Sequence, residues 1–155
     1  MRTCECLGIK QCYATGYTPN LEFATDGSNL PILPHVKAKL ERELHRSALG
    51  AEQLVKLSYR PDINQLIRDL KQSDYRLIGL EQNQRSVVLS DYHAPTKIAL
   101  LLGEEVHGIT SDHLEQCDDL IEIPMFGVKE SYNVSVATGI ALYSLTISSL
   151  PKLPQ

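Results

Sequence analysis

The sequence predicts an α/β fold: a mainly parallel sheet with helices on both faces. Strand-like runs alternate with helical periods along most of the chain, and Ile98-Ala-Leu-Leu-Leu102 is apolar at every position, leaving no face for water. Alternation of this kind is what parallel crossovers require, and an unbroken apolar run is how a strand covered on both faces reads. The third observation is that two strands end at turn residues, Gly103 and Pro124. In such sheets ligands bind beyond the carboxyl ends of the strands, where both of these residues fall. A length of 155 residues fits a single domain with an ordinary core.

The elements follow in order. Cys12 to Ala14 reads as a short strand closed by Gly16, and Tyr17 to Pro34, rich in Pro, Gly, Asn, Asp and Ser, as a long loop. Loops of that length in compact domains usually serve function. Val36 to Ser47 has a helical period with Gly50 as its stop, and Gln53 to Leu57 alternates like a strand. Pro61-Asp62 opens a helix to about Ser73. Arg76 to Leu80 is a strand, Val87 to Leu89 a short one, and Lys97 to Leu102 the most apolar one. Ser111 to Cys117 is a short helix, Leu120 to Ile123 a strand, and Asn133 to Ser149 a long helix.

Composition narrows the function classes. Apolar residues at 43% with 22% charge describe an ordinary globular chain and exclude disorder. The uncharged run from Asn133 to Pro151 is interleaved with Ser and Thr and broken by Gly139 and Pro151, so it reads as a buried helix, not a membrane span. Met1-Arg2-Thr3-Cys4-Glu5 has no apolar signal core, which sets the expectation of a cytoplasmic protein. Cys4, Cys6, Cys12 and Cys117 form neither a paired framework nor a Cys-x-x-Cys knuckle, so they read as reduced thiols and no metal is expected. A net charge of -4 argues against nucleic-acid binding over the whole surface. Between His35 and Arg60, however, Lys37, Lys39, Arg42, Arg46, Lys56 and Arg60 outnumber Glu41, Glu43 and Glu52. That strip suits RNA and a solvated helix face equally.

Two segments carry chemistry. Gly103-Glu104-Glu105-Val106-His107-Gly108 follows the apolar strand, where glycine lets a ligand approach the backbone and Glu104 stands at the pocket wall. It is neither a dinucleotide fingerprint nor a phosphate loop, since G-x-G-x-x-G and G-K-[S/T] are both absent. Taken alone it reads as a turn. In Ile123-Pro124-Met125 through Ser131-Tyr132-Asn133, proline removes a backbone donor and leaves adjacent carbonyls free to accept from an adenine amino group. Asn133 or Ser131 caps the helix that follows, and the loop is suited to clasp a nucleoside-like ligand. His107 and His113 read as surface or turn residues.

In order and spacing these segments resemble the second and third motifs of the SpoU/TrmH family of RNA ribose 2′-O-methyltransferases, in the SPOUT class. The resemblance runs through Arg2-Thr3, Leu7-Gly8-Ile9, Gly16-Tyr17-Thr18-Pro19 and Ala48-Leu49-Gly50-Ala51-Glu52. It continues in Leu101-Leu102-Gly103-Glu104-x-x-x-Gly108, Ile123-Pro124-Met125 and Ser131-x-Asn133-Val134-Ser135-Val136-Ala137. It implies a C-terminal trefoil knot, which general fold rules would not suggest. It also implies S-adenosylmethionine held by Leu80, Gly103, Ile123, Met125, Tyr132 and Asn133. Tyr132 stands where the family usually has Leu. Arg2, Glu104, Ser131 and Asn133 match the family's catalytic positions, with Arg2 orienting RNA and aiding departure of the 2′-hydroxyl proton. The implied chemistry is in-line attack of that hydroxyl on a sulfonium methyl, within a homodimer joined through the Asn133 to Ser149 helix, acting on tRNA or rRNA.

In the family a strand and an Asn-x-Gly loop precede the arginine, whereas here Met1 precedes Arg2 directly. The expectation is therefore a chain lacking the family's first strand, through a late start or a truncated relative, with apolar sheet edges left open. Two rivals stay open: a non-catalytic RNA- or cofactor-binding homodimer, and a generic nucleotide-binding enzyme.

Overall fold

The computed structural model describes residues 1–16, 18, 21, 31–104 and 106–148. Most of the expected loop from Tyr17 to Pro34, Glu105, and the end of the last helix at Ser149 and Pro151 lie outside the described residues. The chain divides into two compact units, residues 1–66 and 67–155.

In the first unit, α1 (Arg2–Cys6) leads to β1 (Gln11–Thr15), α2 (Pro34–Ala48), a 3-10 turn over Ala51–Gln53 and β2 (Lys56–Arg60). The strands pair in parallel, Gln11 opposite Lys56 through Thr15 opposite Arg60. α1 was not expected from the sequence; it seats Cys4 in the core with its sulfur 3.7 Å from that of Cys12 on β1. Pro34 stands at the helical start of α2, where its missing N–H costs nothing. On α2, Lys37 pairs with Glu41 and Lys39 with Glu43, each at 4.0 Å, so part of the basic strip is locally neutralised.

The strand expected at Gln53 to Leu57 starts later, at Lys56. The cause is the exit of α2. Leu49 and Gly50 both turn left-handed, with φ of 50° and 92°, and the 3-10 turn then consumes Ala51–Gln53 before the chain extends. Glycine takes that conformation freely, which makes Gly50 the natural pivot. Asp62 opens α3 (Ile63–Gln72) as expected, its Oδ1 accepting the Gln65 N–H at 3.0 Å.

The second unit holds β3 (Arg76–Leu80), β4 (Val87–Val88), a 3-10 turn at Leu89–Asp91, β5 (Ile98–Leu102), α4 (Ser111–Gln116), β6 (Asp119–Glu122) and α5 (Val134–Ser148). Its four strands run β4-β6-β3-β5, and every pairing is parallel. The parallel sheet expected from sequence is thus present, but as two sheets, one in each unit. Ile78 on β3 and Ile121 on β6 are fully buried and pack with Leu89 and with Ala141 and Leu145, one turn apart on α5. Burying each large aliphatic side chain contributes on the order of 1.5–3 kcal/mol, so this cluster is what seats α5. At the strand starts, Asp119 accepts from the Arg76 guanidinium and from the Tyr92 hydroxyl at 2.6 Å, tying β3 to β6. Among the described residues, no helix is long and apolar enough to cross a membrane.

Candidate functional site

The register of the second sheet builds the site. Leu80 lies opposite Leu102 on one side and Ile121 on the other, so β3 and β5 finish level and β6 one residue beyond them. The residues just beyond those ends meet: Glu81 after β3, Gly103 after β5, and Ile123 after β6. They border a cleft of about 560 Å³ whose remaining wall is Glu130 to Val134 and Ala137, the approach to α5 and its first turn. That volume falls within the range of small-molecule pockets.

Beyond β5, Glu104 and Gly108 pair as an antiparallel bridge. The Glu104 N–H donates to the Gly108 carbonyl at 3.2 Å, and the Gly108 N–H donates back to the Glu104 carbonyl at 3.0 Å. A Cβ placed on Gly103 would lie 2.2 Å from the Gly108 carbonyl carbon and 2.5 Å from the Ile109 nitrogen. The loop's own closure therefore demands glycine at 103, a reason distinct from the ligand approach expected from sequence. Gly108 has φ of 66°, a left-handed turn that favours glycine. At the cleft mouth the Glu104 carboxylate meets the His107 ring at 2.6 Å, with both side chains largely exposed. His107, read from sequence as a surface residue, is exposed and also lines the cleft. His113 stays at the start of α4, its Nδ1 2.8 Å from the Thr110 hydroxyl.

Across the cleft, Asn133 caps α5. Its Oδ1 accepts the Ser135 N–H at 2.9 Å and the Ser135 hydroxyl at 2.5 Å, while its carbonyl accepts from Val136 and Ala137. The cap leaves the amide Nδ2 of Asn133 with no hydrogen bond among the described residues, and the hydroxyls of Ser131 and Tyr132 are equally unengaged there. Tyr132 is 41% exposed and lines the cleft. Three neighbouring polar groups are thus available to a ligand.

The cleft brings together Leu80, Gly103, Glu104, Ile123, Ser131, Tyr132 and Asn133 of the residues singled out from sequence. Met125 is half-buried and does not line it. Arg2 belongs to the first unit, where it opens α1 with its side chain exposed. Sequence reasoning missed Glu81, Gln82, Glu122 and Glu130; the three glutamates, alongside Glu104, give the lining an acidic character. The rule that selected Gly103, position just past a strand's carboxyl end, applies equally to Glu81. Among the described residues, no group of three or more His, Cys, Asp or Glu is placed to hold a metal ion.

The donor set has a definite chemistry. Carboxylates suit a cationic ligand, and unengaged hydroxyl, amide and backbone groups suit a nucleoside. S-Adenosylmethionine, with its sulfonium and ammonium charges beside an adenosine, fits such a lining.

Comparison with known proteins agrees. A protein named tRNA (guanosine(18)-2′-O)-methyltransferase from Borreliella burgdorferi is 33% identical over 97 residues, covering 63% of this chain and 44% of that protein. One named 23S rRNA (guanosine-2′-O-)-methyltransferase from Bordetella pertussis is 33% identical over 118 residues, covering 76% of this chain and 48% of the relative. The chain therefore spans about half the length of these curated relatives. The crystal structure of an AdoMet-bound rRNA methyltransferase from Sinorhizobium meliloti shares the fold, with a TM-score of 0.76 at 19% identity over 97% of this chain and 50% of that one. The profile of the SpoU rRNA Methylase family matches residues 23–143, most of the sequence and every residue that lines the cleft, and the chain belongs to that family.

Proposed function

We propose that this protein transfers a methyl group from S-adenosylmethionine to a ribose 2′-hydroxyl of tRNA or rRNA. The observation that carries the reading is the meeting of Gly103, Glu104, Ile123 and Ser131 to Asn133 around one cleft, at the carboxyl ends of three parallel strands. Family membership and the names of the relatives support the substrate class.

When bound, S-adenosylmethionine supplies a sulfonium methyl already activated for in-line transfer. The protein's work is then alignment and help with one proton. Leu80 and Ile123 give the cleft apolar walls, backbone groups beyond Gly103 and Ile123 receive the nucleoside, and the carboxylates balance positive charge. Ser131, Tyr132 and Asn133 supply the unengaged polar groups, and Met125 belongs with this set by resemblance. The same resemblance gives Arg2 the role of orienting RNA and easing the 2′-hydroxyl proton away, and matches Glu104, Ser131 and Asn133 to the family's polar active-site positions.

A trefoil knot in the C-terminal part and a single methyltransferase domain over residues 1–155 belong to this reading, as does a cytoplasmic setting. So does a homodimer. Val136, Ile140, Tyr143 and Ile147 recur at helical spacing on α5 and are all exposed, an apolar stripe that a second subunit would cover. Beside it Leu89, Pro124, Gly139, Ile140 and Tyr143 line a shallow hollow.

Calorimetric titration with S-adenosylmethionine tests the cleft assignment. Binding by the native chain, weakened severalfold in Ser131→Ala, is the expected result. Absence of binding at millimolar ligand would reject the assignment.

A further inference from the structure

Beyond its share of the acidic lining, Glu81 is bonded to four separate parts of the cleft's frame. Its Oε2 accepts the Ile109 N–H at 2.9 Å, and its Oε1 accepts the Gln82 N–H at 3.1 Å. Its own N–H donates to the Ile121 carbonyl at 3.0 Å, and its carbonyl accepts the Ser86 hydroxyl at 2.7 Å. The carboxylate also fills the space beside Gly108, where an added Cβ would lie 2.3 Å from Oε2. The next residue reaches the opposite wall: Gln82 Nε2 donates to the Glu130 carbonyl at 2.9 Å. Two consecutive residues just beyond β3 thus hold two sides of the cleft, one at Ile109 and one on the approach to α5.

We propose that Glu81 is a positioning residue that clasps the 103–109 loop through the Ile109 amide, with Gln82 steadying the opposite wall, so that the cleft is preformed for its ligand. The proposal rests on the cofactor reading of the cleft only for its effect on affinity. The clasp itself is a property of the free protein.

Among the described residues between β5 and α4, one internal pair of backbone hydrogen bonds joins Glu104 and Gly108. Ile109 is buried, so its amide needs an acceptor, and a carboxylate is a stronger one than a carbonyl. Without Glu81 the loop is free to lift from the sheet end, taking Gly103, Glu104 and His107 with it. A ligand must then order the loop as it binds, and affinity falls by the fraction of protein in which the loop is closed.

Hydrogen exchange followed by mass spectrometry on the ligand-free chain tests the clasp, and calorimetry with S-adenosylmethionine tests its consequence. In Glu81→Ala the segment containing Ile109 is expected to exchange roughly tenfold faster, with S-adenosylmethionine affinity lowered by a similar factor, as loss of one charge-assisted hydrogen bond implies. Glu81→Gln keeps an acceptor of the same reach and should return both to within about threefold of the native chain, a rescue that general destabilisation would not produce. Should the alanine variant fail to fold, Glu81→Asp keeps the charge but is one methylene too short to reach Ile109, and the same outcome is expected of it. Unchanged exchange at Ile109 overturns the clasp, and faster exchange with unchanged affinity overturns the positioning role. If the native chain binds no S-adenosylmethionine, the cofactor reading fails, while exchange at Ile109 still decides whether Glu81 holds the loop.

Discussion

Gly103→Ala is the substitution on which the geometry speaks most sharply. The added methyl would sit 2.2 Å from the Gly108 carbonyl carbon, 2.5 Å from the Ile109 nitrogen and 2.6 Å from the Gly108 Cα. Ordinary contact begins at 3.4 Å, so the loop has to retreat by about 1.2 Å, and all three obstacles are backbone, which no rotamer change relieves. A retreat of that size breaks the paired hydrogen bonds between Glu104 and Gly108 and draws Ile109 off Glu81. Overpacking of this kind costs about 1–3 kcal/mol, and each lost hydrogen bond adds about 1 kcal/mol. A total of about 4–6 kcal/mol corresponds to a melting-temperature drop of roughly 8–24 °C for a chain of this size. Differential scanning calorimetry reads it directly, and S-adenosylmethionine affinity should fall with it. Gly108→Ala is the informative contrast, because its methyl meets the Glu81 carboxylate and not backbone: it displaces that side chain from Ile109 without wedging the Gly103 and Gly108 backbones apart, although the left-handed φ still carries a penalty. A Gly103→Ala chain with native melting temperature and native affinity would refute the account of the loop.

Three further outcomes are expected. Asn133→Ala should weaken S-adenosylmethionine or RNA binding by more than the loss of a helix cap, about 1 kcal/mol, explains; equal loss of folding stability with unchanged binding would defeat that role. Ile140→Asp, which places a charge in the α5 stripe, should convert a dimer to a monomer in light scattering, and an unaltered mass would remove that stripe from the interface. The Arg76 guanidinium, aided by the Tyr92 hydroxyl, holds the Asp119 carboxyl below the usual carboxylate range. A depressed carboxyl contributes stability above its unfolded pKa of about 3.9 and loses it as pH falls through the folded value. The stability gap between the native chain and Asp119→Asn in urea titrations should therefore be widest near neutrality and close below about pH 4, and a gap independent of pH would contradict the network.

How far the sequence could be read depended on whether the signal was local. β3 and β5 fell where apolar content put them, and α5 began where Asn133 announced a cap, because strand hydrophobicity and capping are decided within a few residues. The start of β2 was not local. It depended on two successive left-handed residues at Leu49 and Gly50 and on the ladder to β1, which nothing in Gln53 to Leu57 reveals. Division into two sheets was likewise invisible, since alternation of strands and helices is the same for one sheet as for two. In the cleft, glycines and the Ser131-x-Asn133 pair were legible as a motif. Glu81 was not, because one glutamate after a strand carries no pattern; its importance comes from the register that sets Leu80 level with Leu102 and brings Ile109 within reach.

The central claim is methyl transfer to ribose, and its most direct test uses tritiated S-adenosylmethionine with bulk tRNA and rRNA. After incubation with the protein, RNA is digested with alkali and with nuclease, and the labelled species is identified. The account predicts label in an alkali-resistant dinucleotide that yields a 2′-O-methylnucleoside. Cofactor binding with no label in RNA, or label on a base instead of the ribose, would contradict it.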